Sequence, residues 1–351
     1  MMEAYPVLVD GKAEGFVRTF GDYVEVTRGN VQEHYLWLGD RGFGLKTESE
    51  LFRILYESPI LPSLEPREGL LEERVTQAAT ALRETLDGKL VMADLSGGKD
   101  STAQLLILSR LREHIDFKLL AVYVHVPYLE PPENIDIAER IANKLGVEFL
   151  YVEADRRMMQ FYLMREGLPR RGIRWCTYLK TRALREARKA LGADFEAKGD
   201  RMLESGKRMS RLKGLATKSS FVQGRTLNLV YDFTALDAAR IVAEHDLVHP
   251  HYLLGIPRVS CRFCPYRSLY ELKAAEAQEV EDLGLLEHSA MLMYRRHYSS
   301  VATWDLFWEL ALWRYQPTLA RLRLKELSNA DFAKTLTLGD VKAMFRSLWV
   351  R

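Results

Sequence analysis

Cysteine is scarce in this chain of 351 residues, which contains only Cys176, Cys261 and Cys264. So few thiols exclude a disulfide-stapled secreted scaffold, and a chain this long can bury a core without staples. Asparagine and glutamine are scarce as well, at 5 and 7. That shortage fits a thermophile avoiding thermolabile amides. No run nears the roughly 18 apolar residues of a membrane span, so no membrane partner is expected. The N-terminus, MMEAYPVLVDGKAEG, lacks a basic start followed by an apolar stretch. No signal peptide is therefore expected, and a cytoplasmic location is the default.

Hydrophobic residues at 47% and charged residues at 28% are the balance of a soluble globular protein. The length suggests two to three domains. The net charge of +2 hides an asymmetry. Arg156 to Arg225 holds 19 Lys and Arg against 6 Asp and Glu, leaving 31 against 42 for all other residues. A basic block in a near-neutral chain is either an anion-binding surface or a set of solvated helix faces with acidic partners elsewhere.

Residues 1 to about 47 carry short apolar segments separated by Gly-Asp, Gly-Asn and Asp-Arg-Gly, which predict a small β-rich unit. Glu57 to Gly69, with Pro59, Pro62 and Pro66, predicts a linker. From there strand and helix patterns alternate. Helices are expected over 70–86, 100–114 and 135–145, and strands over 89–95, 119–126 and 147–152. Such alternation implies a parallel sheet with right-handed crossovers. Beyond Pro265 the pattern is mostly helical. Trp304, Phe307, Trp308, Leu312 and Trp313 recur at intervals of three and four, as a packed helix face would. The expected units are thus 1–60, 61–265 and 266–351.

The sharpest motif is Ser96-Gly97-Gly98-Lys99-Asp100-Ser101, between a buried strand and a helix. Glycines let the backbone bring its N–H groups close to an anion. The helix N-terminus adds unsatisfied N–H groups and a positive dipole end. Lys99 supplies a cation, Ser96 and Ser101 supply hydroxyls, and Asp100 suits a first helical turn. A Walker A loop needs four residues between its first Gly and its Gly-Lys-Ser/Thr end, and this loop lacks them. Asp94 precedes the loop at the sheet edge where α/β sites form, to help bind Mg2+ or to order the loop.

The SGGKDS sequence resembles the PP-loop of the ATP pyrophosphatase superfamily, whose members cleave ATP between the α and β phosphates or bind a related sulfonucleotide. Three further stretches resemble its phosphoadenylylsulfate (PAPS) reductase-like branch: Arg174-Trp175-Cys176-Thr177 with Leu179-Lys180; Gly199-Asp200-Arg201 with Glu204-Ser205 and Arg208; and His249-Pro250-His251-Tyr252 running to Cys261-Arg262-Phe263-Cys264-Pro265. The last resembles the family ending N-P-L-Y…G-x-x-R-x-G-C-x-x-C-P. Tyr231 to Asp246 matches the short strand and helix before it. The resemblance covers about residues 70–266. It implies a doubly wound, mostly parallel α/β fold of the adenine nucleotide α-hydrolase-like kind, flanked by the N-terminal β unit and the C-terminal helices. It also implies that Ser96 to Ser101, Gly199, Arg201, Glu204 and Arg208 contact the nucleotide, with Lys99, Asp100 and Arg201 as catalytic residues. Arginine forks suit phosphate or sulfate.

All three cysteines fall at the family's metal positions. They imply a [4Fe–4S] cluster with one iron open, as in PP-loop tRNA thiolases. The alternatives are zinc completed by His249 or His251, and a plain Cys261–Cys264 disulfide. Iron–sulfur sulfonucleotide reductases use four cysteines, with a Cys-Cys pair where Trp175-Cys176 stands here. Thiol-dependent reductases also need a cysteine near the C-terminus, and none follows Cys264. The expected function is therefore an ATP- and Mg2+-using sulfurtransferase acting with a sulfur donor on tRNA or another nucleic acid. The alternatives are a PAPS or APS reductase, and a non-catalytic nucleotide-binding or iron–sulfur regulatory protein.

Overall fold

A computed structural model describes residues 4–39, 42–46, 66–218, 220–327 and 331–349. Most of the expected proline-rich linker lies outside the described residues. The chain opens with β1 (Tyr5–Val9), β2 (Lys12–Phe20), β3 (Tyr23–Arg28), β4 (Val31–Trp37) and β5 (Phe43–Leu45). The nucleotide-loop region follows as α1 (Leu70–Leu86), β6 (Leu90–Asp94), α2 (Lys99–Leu111), β7 (Lys118–His125), α3 (Glu133–Lys144) and β8 (Glu148–Glu153). Next come α4 (Arg156–Glu166), α5 (Trp175–Leu191), β9 (Phe195–Ala197), α6 (Gly206–Thr217), β10 (Val222–Gln223), β11 (Thr226–Leu227) and α7 (Ala235–Glu244). The remainder is α8 (Pro250–Leu253), α9 (Leu269–Ala274), α10 (Leu283–His297), α11 (Trp304–Glu309), α12 (Pro317–Leu327), β12 (Asp331–Leu336) and α13 (Leu338–Arg346).

The central sheet runs β10-β11-β9-β6-β7-β8 and is parallel except at its β10 edge. Residues alternate between the two faces of a strand. Val91 and Ala93 of β6 join a core that includes α1, α2, α3 and α7, whereas Met92 joins Leu120, Val122, Val124 and Ala183 on the opposite face. Both faces are therefore covered, and the sheet is doubly wound as expected. The strand expected at Tyr231–Thr234 does not form. Asn228 accepts from Val230 N at 3.1 Å and donates to the Asp200 carbonyl at 2.7 Å, locking a turn there. Short β11, at Thr226–Leu227, pairs with β9 instead.

The N-terminal strands form an antiparallel sheet in the order β1-β2-β3-β4-β5-β12. Its last strand comes from the C-terminal region, which was expected to be mostly helical. Fully buried Asp22 joins the two: it accepts from Arg314, Arg323 and the Tyr315 hydroxyl, the last at 2.8 Å. Two guanidiniums offset the desolvation of this carboxylate and hold its pKa below the usual range. The aromatic run packs, with Phe307, Leu312 and Trp313 buried and Trp308 stacked on Trp304, but not as the single helix face expected. Helix α11 ends at Glu309, and Leu312 and Trp313 lie in a separate 3-10 turn after Ala311 at φ 46.

Candidate functional site: a phosphate loop beside three thiols

The turn from β6 into α2 is held by its own side chains. Ser101 Oγ donates to the Gly98 carbonyl at 3.0 Å, accepts from Ser96 N at 3.1 Å and lies 2.9 Å from Ser96 Oγ. Gly97 has φ +73, a left-handed conformation that a side chain would strain. Its α-carbon faces the His249 ring, 3.1 Å from where a Cβ would sit.

Lys99 is buried, and its Nζ lies 3.3 Å from Asp100 Oδ2 and over the Tyr5 ring at 5.6 Å. Burial alone would lower the Lys99 pKa, but the Asp100 carboxylate, Tyr5 and Tyr252 together outweigh it and keep the amine charged. Arg201, 1% exposed, donates from Nε to Asp100 Oδ1 at 2.7 Å and from its guanidinium to the Phe233 carbonyl at 3.3 Å. Burial would raise the Asp100 pKa, but Arg201 and then Lys99 hold it low. Arg201 thus positions Asp100 rather than presenting an open fork to solvent. Gly199 explains how the two segments meet: a Cβ there would lie 2.7 Å from Asp100 C and O and from Ser101 N.

The other expected contacts are looser. Arg208 pairs with Glu204 and, at 3.2 Å, with Asp200. Ser205 caps α6, accepting from Arg208 N at 3.2 Å. Asp94 sits at the end of β6 with Oδ1 buried and without a partner among the described residues. Burial, then Glu196, raises its pKa well above the carboxylate range.

The three cysteines are free, so the Cys261–Cys264 disulfide is not formed. Cys176 lies in the first turn of α5. Cys261 and Cys264 lie in a tight turn closed by Cys264 N to the Cys261 carbonyl at 3.3 Å, and Arg267 pins the turn through two bonds to Ser260, each 2.9 Å. Burial, then the charge of Cys264, pushes the Cys176 pKa up to about 11. Burial and then Glu130 push Cys261 well above the thiol range, with Cys264 and Cys176 adding repulsion. Thiols that repel one another in this way have the donor chemistry of a cation or cluster site. Among the described residues no three His, Cys, Asp or Glu side chains are gathered closely enough to hold one ion. The zinc alternative also loses its fourth ligand. His249 lies against Gly97, and His251 is held by Glu133 at 2.7 Å and by Gln278.

Lys180 links the two halves. One helical turn after Cys176 on α5, it senses the charges of Glu130, Cys261, Asp94 and Cys176, which together raise its pKa against the opposing effect of burial. The motif reading missed two residues outright. The Tyr252 hydroxyl accepts from Lys99 N at 2.9 Å, and Tyr5, from β1, covers the Lys99 amine. Their signal is tertiary, although Tyr252 stood inside a recognised motif. On the surface beside the thiols, the exposed Tyr266 ring carries the Arg174 guanidinium at 4.7 Å and that of Arg171 at 5.7 Å.

Residues 90–267 match the family model of the phosphoadenosine phosphosulfate reductase domain. A tRNA-cytidine(32) 2-sulfurtransferase of Ralstonia pickettii (strain 12J) is 26% identical over 212 residues, 56% of this chain and 62% of that protein. One of Colwellia psychrerythraea is 32% identical over 143 residues, 39% of this chain and 44% of that protein. The chain thus spans less than two thirds of the length of these relatives. The U34-tRNA thiolase of Methanococcus maripaludis, solved with its [4Fe-4S] cluster, superposes with a TM-score of 0.43 at 16% identity, covering 68% of this chain and 85% of that one. No helix among the described residues is long and apolar enough to cross a membrane. With half of its length matched by that model and the loop, the Gly199–Arg201 segment and the cysteines at the positions described, the chain belongs to the phosphoadenosine phosphosulfate reductase domain family of the PP-loop ATP pyrophosphatase superfamily.

Proposed function

We propose that this protein is an ATP-dependent, adenylating sulfurtransferase that thiolates tRNA. One observation carries the reading. The segment that carries Cys261 and Cys264 packs on the loop, Val259 lying 3.8 Å from where a Gly98 Cβ would sit, Lys180 feels the charges of Asp94, Cys176 and Cys261 together, and no cysteine follows Cys264 in these 351 residues to serve as a reductase nucleophile. The names of the partial-length relatives, tRNA-cytidine(32) 2-sulfurtransferases, support the same choice.

In this reading the Ser96–Ser101 loop binds the β,γ-pyrophosphate. Asp94, with its unpartnered oxygen, would be the carboxyl to hold Mg2+, which would screen the phosphate charge. Lys99, positioned by Asp100 and Arg201, offsets charge on the α-phosphate and the leaving pyrophosphate. A carbonyl oxygen of the base attacks the α-phosphate, forming a C–O–AMP intermediate and releasing pyrophosphate. Sulfide from the donor then attacks that carbon, the C–O bond breaks, AMP leaves and a thiocarbonyl remains. Cys176, Cys261 and Cys264 would hold a [4Fe–4S] cluster, which supplies an iron without a protein thiolate as a sulfide-carrying position. Exposed Arg157, Arg165, Arg174, Arg182 and Arg185 suit tRNA phosphates, and Tyr266 beneath its arginines suits an unpaired base. Residues 61–265 would form the nucleotide-binding unit, with 1–60 and 266–351 flanking it.

The family model's own name favours a second reading, a sulfonucleotide reductase. Deleting the gene and profiling tRNA nucleosides and DNA phosphorothioates by mass spectrometry separates the two. Loss of a thionucleoside supports the sulfurtransferase. An unchanged profile with lost growth on sulfate reverses the choice.

A further inference from the structure

One buried donor in the phosphate site has no acceptor. His249 is completely buried, and its Nδ1 accepts from His251 N at 3.2 Å. An acceptor nitrogen carries no proton, so in the neutral ring the proton sits on Nε2. That Nε2 is buried and has no partner among the described residues. It lies 3.7 Å from the position a Gly97 Cβ would take, against the backbone of the loop. A buried N–H without an acceptor costs free energy unless a ligand or water completes it.

The surroundings hold the ring in that pose. His249 opens α8, and three residues later the Tyr252 hydroxyl accepts from Lys99 N, docking this short helix on the start of α2. Trp349 stacks on Tyr252 at 4.4 Å from behind. The His251 ring, 4.3 Å from that of His249, is itself held by Glu133 and Gln278. Burial, with His251 and Arg140 nearby, lowers the His249 pKa to about 2, so the ring stays a neutral donor. The 13-residue helix α2 begins two residues after Gly97, the glycine against which His249 packs, so its dipole and the orphan N–H favour one acceptor, an anion.

We propose that His249 donates its Nε2–H to a phosphate oxygen of the nucleotide held in the Ser96–Ser101 loop, as an uncharged binding residue beside Lys99. This rests on the reading of that loop as a pyrophosphate site. It also gives the family-atypical histidine of His249-Pro250 a purpose that an asparagine amide could fill in part.

Two measurements on the full chain test it. In protein labelled with 15N-histidine, the imidazole spectrum should show His249 as the neutral Nε2–H form, and saturating inorganic pyrophosphate should shift its Nε2–H resonance. By calorimetry, His249→Phe should weaken pyrophosphate binding about tenfold, while His249→Asn, which restores a donor, should lie within about threefold of wild type. A resonance that pyrophosphate leaves unmoved, or equal affinity of wild type and His249→Phe, overturns the assignment, the donor then being met by water. If wild type binds neither pyrophosphate nor ATP, the reading of the loop falls and this proposal with it. If wild type binds and only the His249 results fail, the reading of the loop stands alone.

Discussion

At the Ser96–Ser101 loop, Ser96, Lys99, Asp100 and Ser101 are each held by a neighbour, whereas about the thiols Cys176 and Cys261 share repulsion and raised pKa values. The first region is pre-organised: its ordering cost falls on folding, so binding need not meet it. The second is strained by charge in its ionised form, and a metal centre would relieve that strain. One region is tied together as folded, whereas the thiols of the other are not gathered about a single ion position among the described residues.

Four substitutions or conditions sharpen or break this contrast. The largest effect is expected from Arg201→Met, which removes a buried guanidinium and leaves half-buried Asp100 without its closest cation. Breaking such a pair costs about 3–5 kcal/mol. Urea unfolding should show that loss, and AMP release should vanish; a variant as stable as wild type would show that the loop does not depend on the pair. Cys176→Ser should abolish iron binding after anaerobic reconstitution, and tRNA thiolation with it, yet preserve ATP binding by calorimetry. Loss of both would mean that the two regions are not separable.

Gly199→Ala should act in the opposite sense. Its Cβ would intrude on Asp100 and Ser101, at a cost of about 1–3 kcal/mol. ATP affinity should fall roughly tenfold or more, with iron content unchanged. The smallest effect concerns acid. The His249 pKa of about 2 in the folded chain lies below the ordinary value, so between there and about pH 6.5 only the unfolded chain takes up the proton. Stability is therefore fully present above about pH 6.5 and falls as the pH drops, by up to about 1.4 kcal/mol per unit. Chemical unfolding at pH 6.5 and 5.5 should give a shallower slope for His249→Asn than for wild type.

The same contrast separates what could be read from the sequence. The loop was legible because its chemistry is local: strand, two glycines, a lysine, two hydroxyls and a helix start stand in consecutive residues. The parallel sheet was legible from alternation, and the α1 boundaries at Leu70 and Leu86 agree with the expected helix. The three cysteines were legible as positions, but not their half-buried, mutually repelling state. Tyr5, Tyr252 and His249 reach the loop from 91 or more residues away along the chain; the segment of His249 and Tyr252 was recognised as a motif, but its contact with the loop was not, and nothing in the segment of Tyr5 announces one. Arg201 was recognised, but its expected anion fork is turned inward to Asp100, an outcome of burial that spacing does not encode. The strand expected near Tyr231 failed for a similar reason: the Asn228 side chain competes with the ladder for backbone groups.

The central claim is that the loop and the thiols serve one reaction on tRNA. The direct measurement incubates the anaerobically reconstituted protein with ATP, Mg2+, sulfide and unmodified tRNA, then quantifies AMP, pyrophosphate and thionucleoside together. The account predicts AMP and pyrophosphate in equal amounts, with one thionucleoside for each, and loss of all three in Lys99→Ala. Sulfite released from APS or PAPS with a thiol donor, without AMP from ATP or any thionucleoside, would contradict it.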